Sequence, residues 1–273
     1  FALLNADGTS VRGGVRLTSS PATSVIVNTG AQSALAWDGT HWGLFLPTFN
    51  DAALGPLDDI VYRRLEEDGD LALGPVAVTA TAGHYELDLA VAWAAPVSKY
   101  GLAWVRFVNA TAEIYFQRVE ETTGAPGGSP VQLATATGTS GLSIVWDGNG
   151  WAVAWSQLDA TEAELAIYLR RLDASGSPAG PAQRLSRAFD PDDPPDDELP
   201  LVRAKPGGGY AIFTASFDAS TNFGSEIGRF EATAAGLPDG ALELMTPADD
   251  ATSYQPRVAG DGTRFLVVLH DSS

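Results

Sequence analysis

The chain has 273 residues, 45% of them hydrophobic, and a formal net charge of −18 from 16 basic and 34 acidic side chains. That balance excludes nucleic acid and membrane insertion or docking on an anionic bilayer, since both kinds of anionic surface need clustered Lys and Arg, and the only lysines are Lys99 and Lys205. With no cysteine, disulfides, thiolate metal sites and a cysteine nucleophile are excluded too.

No stretch approaches the ~18 consecutive apolar residues of a membrane span. The opening FALLNADGTS has neither a charged n-region nor an apolar h-region, so any export signal is expected to have been removed.

In chain order, residues 1–20 read as two short strands about a turn at Gly8. From Ser33, SALAWDGTHWGLFLPTF is an apolar strand, a tight polar turn and a second apolar strand. The pattern returns as LDLAVAWAAPVSKYGLAWVRF from Leu87, LSIVWDGNGWAVAWSQL from Leu142, PLVRAKPGGGYAIFTASF from Pro200 and PRVAGDGTRFLVVLHDSS from Pro256. Trp37, Trp93, Trp146, Lys205 and Asp261 mark equivalent points, about 55 residues apart. A second pattern follows the first four copies: IVYRRLEEDGDLALGPVAVTA, EIYFQRVEETTGAPGGSPVQLATA, LAIYLRRLDASGSPAGPAQRLSRA and IGRFEATAAGLPDGALELMTP. Each reads as a strand, a glycine-containing turn and a shorter alternating strand.

After the fifth copy the chain stops. The missing piece is FALLNADGTSVRGGVRLTSS, which aligns without a gap on LRRLDASGSPAGPAQRLSRA, placing Gly8 on Gly176, Arg16 on Arg184 and Leu17 on Leu185. The expected fold is therefore all-β, a five-bladed β-propeller of four-stranded blades, with the ring closed by N-terminal strands that complete the C-terminal blade. It forms a single domain over 1–273, with blades at 21–80, 81–136, 137–187, 188–247, and 248–273 plus 1–20. Inner strands should be buried on both faces, as the continuous runs AVAW from Ala152 and FLVVL from Phe265 suggest. Outer strands should alternate, as VQLATA from Val131 and VRLTSS from Val15 do.

The strings WDGNGWAVAWSQ, IYLRRLDASGSPAG and RLS resemble the WDG-type repeats of exported bacterial surface proteins, especially myxobacterial ones. The resemblance is strongest in the third blade and carries no catalytic motif; it implies the fold and a secreted, periplasmic or cell-surface location. Five blades also resemble, at the level of fold, the tachylectin-like lectins and the arabinanase-like glycoside hydrolases, without either group's motifs.

Ligands of a propeller usually bind where the between-blade loops and the loops joining second to third strands share one face. The between-blade loops are expected at 18–32, 79–86, 135–141, 186–199 and 246–255. On that face His84, Tyr85, Asn222, Phe223, Tyr254 and His270 are the ligand-binding candidates. The acidic run over 189–198 offers Asp190, Asp192, Asp193, Asp196 and Asp197 to Ca²⁺, a cation that takes several oxygen ligands, and equally reads as a stiff solvated loop. No other cofactor is expected. His41 falls on the opposite face, and no HExxH, GxSxG or P-loop motif occurs. Asp88, Glu198 and Asp250 lie near inner-strand starts, where a glycosidase could use two carboxylates. Trp37, Trp93, Trp146, Trp104 and Trp155 recur inside strands and are expected in the core.

These readings lead to a non-enzymatic exported or cell-surface propeller, expected to be a monomer, that binds a glycan or a protein partner through its loop face. Two alternatives stand beside it: a carboxylate-dependent glycoside hydrolase or lyase, and a purely structural docking module.

Overall fold

The computed structural model describes residues 3–4, 9–12, 34–47, 59–81, 84–109, 111–158, 165–186, 195–218, 225–246, 252–260 and 263–272. A short hairpin, β1 (Leu3–Leu4) and β2 (Ser10–Arg12), comes first. Four antiparallel sheets of four strands follow. The first holds β3 (Ala34–Trp37), β4 (Trp42–Pro47), β5 (Ile60–Leu65) and β6 (Leu71–Ala77). The second holds β7 (Tyr85–Ala94), β8 (Lys99–Val108), β9 (Thr111–Glu120) and β10 (Val131–Ala136). The third holds β11 (Thr139–Trp146), β12 (Gly150–Leu158), β13 (Leu165–Asp173) and β14 (Gln183–Arg184). The fourth holds β15 (Pro195–Ala204), β16 (Tyr210–Asp218), β17 (Ser225–Ala232) and β18 (Glu243–Leu244). The C-terminal pair β19 (Thr252–Gly260) and β20 (Phe265–Ser272) begins a fifth. The only helical segment among the described residues is one 3-10 turn, Ala95–Val97.

The N-terminal hairpin pairs Leu4 with Ser10, in the register of the bridges Val119–Pro126, Leu172–Pro178 and Ala232–Pro238 that close the third-strand turns of blades 2, 3 and 4. It thus has the form of the third strand and return that β19–β20 lack. Among the described residues the two halves are separate two-stranded ladders.

Blades pack by an aromatic-on-small rule. The second strand of each blade carries an aromatic at its first or second residue: Trp42, Tyr100, Trp151, Tyr210 and Phe265. The next residue is Gly43, Gly101, Ala152 or Ala211 in blades 1–4. A Cβ on Gly43 would overlap the Tyr100 ring, and one on Gly101 would lie 2.5 Å from the Trp151 ring. Each glycine is therefore the seat for the following blade's aromatic, and Ala152 and Ala211 share an apolar cluster with theirs. Four apolar clusters fill the junctions 1/2, 2/3, 3/4 and 4/5, centred on Tyr100, Trp151, Tyr210 and Phe213 respectively.

The WDG turns add a polar link. Asp38 accepts from the amides of Thr40 and His41, both at 2.7 Å, and from the Tyr100 hydroxyl of the next blade at 3.1 Å. Asp147 repeats this with the amides of Asn149 and Gly150 and the Tyr210 hydroxyl. Arg171 donates to the Tyr210 oxygen at 2.8 Å and lies 3.5 Å from Asp147. Where the preceding blade has Ala94 in place of the Asp, the aromatic is Trp151, and its buried indole N–H has no partner.

AVAW from Ala152 is fully buried, as expected, and so are Trp104 and Trp155. FLVVL is a correction: Leu266 and Val268 are exposed, as are Leu35 and Trp37 of blade 1. A strand is covered on both faces only where a blade packs on each side, and among the described residues the inner strands of blade 1 pack on β7 of blade 2 with no contact of comparable extent on β19 or β20.

Candidate functional site

The starts of the inner strands carry a feature that the repeat pattern did not reveal. In β7, β11, β15 and β19 the pairing register slips by one residue, between Leu87 and Ala90, Ser140 and Leu142, Glu198 and Leu201, and Tyr254 and Arg257. These are β-bulges, which bend a strand and re-aim a side chain. The bulged residue is left-handed in three blades: Asp88 with φ 51°, Gly141 with φ 67° and Leu199 with φ 53°. A Cβ on Gly141 would lie 2.7 Å from the Leu199 Cα, so the bulges of blades 3 and 4 touch. The sequence did hold a partial signal: Asp88 and Gly141 fall five residues before the markers Trp93 and Trp146, and Leu199 and Gln255 each precede a proline.

Asp88 is the titratable member of this set. It is largely buried, and desolvation alone raises its carboxyl pKa to about 6. Two residues earlier, Glu86 is fully buried for a different reason. It accepts from the Thr79 hydroxyl, from the Thr81 hydroxyl at 2.8 Å, from Trp104 Nε1 at 3.2 Å, and from Arg106 Nε and Nη2 at 3.0 and 2.8 Å. Arg106 in turn sits 4.3 Å over the Tyr115 ring. With that many donors its oxygens are fully engaged in holding the fold together. Asp59, beside it, accepts from the Thr81 amide at 2.8 Å; burial first, and the Glu86 charge as well, raise its pKa.

The ligand candidates separate. Half-buried His84 precedes β7, and exposed Tyr85 opens it, both at the loop end of blade 2. Tyr254 and His270 are direct cross-strand neighbours in blade 5. Asn222, Phe223, Asp190, Asp192 and Asp193 lie outside the described residues. Asp196 and Asp197 belong to β15, opposite Phe217 and Ser216, so the acidic run ends in a strand whose first residue is Pro195, a position where proline is tolerated. Residues 85–86, 195–199 and 252–255, expected in loops, likewise begin strands. Pairing with the second strand satisfies their backbone, whatever the polarity of their side chains.

On the opposite face Asp38, His41 and Glu121 bring ligand-type atoms within 4.8 Å of one another. Arg64 already occupies that space: its Nη2 lies 3.0 and 2.9 Å from the two His41 nitrogens and 3.4 Å from Glu121. Burial pushes Asp38 up, but the turn amides and the Thr40 and Tyr100 hydroxyls outweigh it and hold its carboxyl below its ordinary range. A cation here would have to displace a guanidinium, so the cluster is a self-neutralised turn network and not a metal cradle. A cleft of about 210 Å³ between the outer strands of blades 3 and 4 is lined by Leu169, Arg171, Gln183 and Leu237, and its Arg171 is the one engaged by Tyr210 and Asp147.

No protein-family model and no curated protein matches the sequence. Solved structures do match. The α-L-arabinanase of Penicillium chrysogenum, complexed with arabinobiose, superposes with a TM-score of 0.61 at 11% identity, covering 94% of this chain and 81% of that one. A protein of unknown function from Dyadobacter fermentans gives 0.61 at 9% identity, covering 87% and 74%. The N-acetylgalactosamine deacetylase of F. plautii, in complex with blood group B trisaccharide, gives 0.52 at 9% identity, covering 84% and 75%. The chain is a five-bladed β-propeller. At these identities the likeness is one of fold, and it carries no residue correspondence. The propeller's inner-strand bulges and Asp88 are therefore features of this sequence, to be read by their own chemistry.

Proposed function

We propose that this propeller acts on a glycan at its loop face, with Asp88 as the general acid of a glycosidic bond cleavage. The observation that carries the reading is Asp88 itself: a largely buried carboxyl at an inner-strand bulge, with a pKa raised to about 6 by desolvation. Such a group stays protonated into mildly acidic solution and can deliver its proton to a departing sugar oxygen. The reaction needs a second, ionised carboxylate from another blade, about 5–10 Å away. Glu198, which directly precedes the bulged Leu199 of β15, and Asp250, before β19, are the candidates. The fold shared with an arabinanase supports a pentose- or hexose-containing polymer as substrate. Export with WDG-type surface proteins and Ca²⁺ binding by the run from Asp190 to Asp197 belong to the same proposal.

A second reading is a binding module without catalysis. It is favoured by the residues equivalent to Asp88, since Gly141 and Leu199 bring no carboxyl to the bulges. Both readings use the same face, and one experiment separates them. Arabinan, galactan and a panel of aryl glycosides are incubated with the protein and with Asp88→Asn, while a glycan array is probed with and without Ca²⁺. Turnover that falls above pH 6 and is lost in Asp88→Asn supports the acid. Saturable array binding without turnover assigns a lectin-like module. Silence in both assays removes the glycan.

A further inference from the structure

We propose that the ring opens at the junction of blade 5 with blade 1 while the other four junctions stay packed. At junctions 1/2 and 2/3 the aromatic sits directly on a glycine, at 3/4 and 4/5 it shares an apolar cluster with Ala152 or Ala211, and two of the four add the Asp–Tyr link. The closing junction has neither. The residue after the leading aromatic is Leu266, where blades 1–4 have Gly43, Gly101, Ala152 and Ala211, so Trp42 finds no seat of the kind Gly43 gives Tyr100. Asp261 stands in the sequence at the WDG position of blade 5, but the aromatic it would meet is Trp42, which has no hydroxyl.

The surfaces agree with the residues. Leu266 and Val268 are 66% and 57% exposed, whereas Ala152 and Ala154, at the same positions of blade 3, are fully buried. On the other side Leu35 is 52% exposed, against 6% for the equivalent Ile144 and none for Val202. Among the described residues, each of the four apolar clusters spans one of the other junctions, and none of them spans this one. A junction that buries little apolar surface opens at a small free-energy cost, while its neighbours open only with the whole fold.

Native-state hydrogen exchange of the full chain tests this without a mutation. Amides of β19 and β20 should exchange roughly tenfold or more faster than those of β8 and β12, which sit at equivalent places in covered blades. Equal protection overturns the proposal. The reciprocal swap then separates a weak junction from a weak blade. Leu266→Ala, which restores the small seat, should slow β20 exchange several-fold and leave β8 unchanged, and Ala152→Leu should create a second early opening at β15–β16. Faster β20 exchange in Leu266→Ala would mean that Leu266 is packed in the ring, and would overturn it as well.

Discussion

At the residue scale, the protein spends two aspartates in opposite ways. Asp38 is held ionised: its carboxylate caps the turn amides of Thr40 and His41 and takes the Tyr100 hydroxyl. Tyr100→Phe keeps the ring on Gly43 and removes this charge-assisted bond together with the hydroxyl's contact to Tyr62, so it should cost about 1–2 kcal/mol in urea unfolding. Asp38→Ala should cost more, because it also strips the turn, and a double-mutant cycle with Tyr100→Phe should show coupling near 1 kcal/mol. Asp88 keeps its proton up to about pH 6, and its linkage runs the other way. Its pKa rises from an unfolded value near 4 to about 6 in the fold. The unfolded chain therefore gives up the proton first as pH rises, and Asp88 lowers stability progressively between about pH 4 and pH 6, by on the order of 2–3 kcal/mol above that window. Asp88→Asn should be more stable than the parent at pH 7 by about that amount and equal to it near pH 4, as measured by parallel urea titrations. Its position in the repeat was visible in the sequence, but its burial was not. Desolvation depends on what the neighbouring blades place around the carboxyl.

At the scale of elements, the inner strand is not a plain apolar run but a strand broken by a bulge. Leu199 is a leucine in left-handed backbone where blade 3 uses Gly141. That conformation costs a non-glycine residue about 1–2 kcal/mol, so Leu199→Gly should be nearly neutral, the relieved strain offsetting the lost side chain. Gly141→Ala meets the Leu199 Cα at 2.7 Å as well as its own φ of 67°, and should lower the thermal midpoint by several degrees. The Trp, Gly and Asp strings of the repeat announced the strands and their tight turns correctly. The bulges stayed hidden because a bulge is a mismatch between two strands, visible only once the partner's register is known.

At the scale of the whole molecule, a net charge of −18 acts on a ring whose last junction is thin. Self-repulsion of that size is screened by salt, with a Debye length falling from about 30 Å at 0.01 M to about 3 Å at 1 M. Raising NaCl from 10 to 500 mM at pH 8 should therefore raise the unfolding temperature, read by scanning calorimetry. An unchanged midpoint would mean that the ion pairs Lys99–Glu120, Lys205–Glu231 and Arg229–Glu243 already balance the charge locally.

The sequence by itself determined the number of blades and the strand order within each, because period-2 alternation and turn chemistry are local and repeat about every 55 residues. Tertiary structure decided the rest. That Asp38 reaches Tyr100, that Gly43 seats its ring, that Asp88 is desolvated and that FLVVL is covered on one side only are all relations between blades. The partners stand some sixty residues apart in sequence, and no local periodicity encodes which surface will close over which.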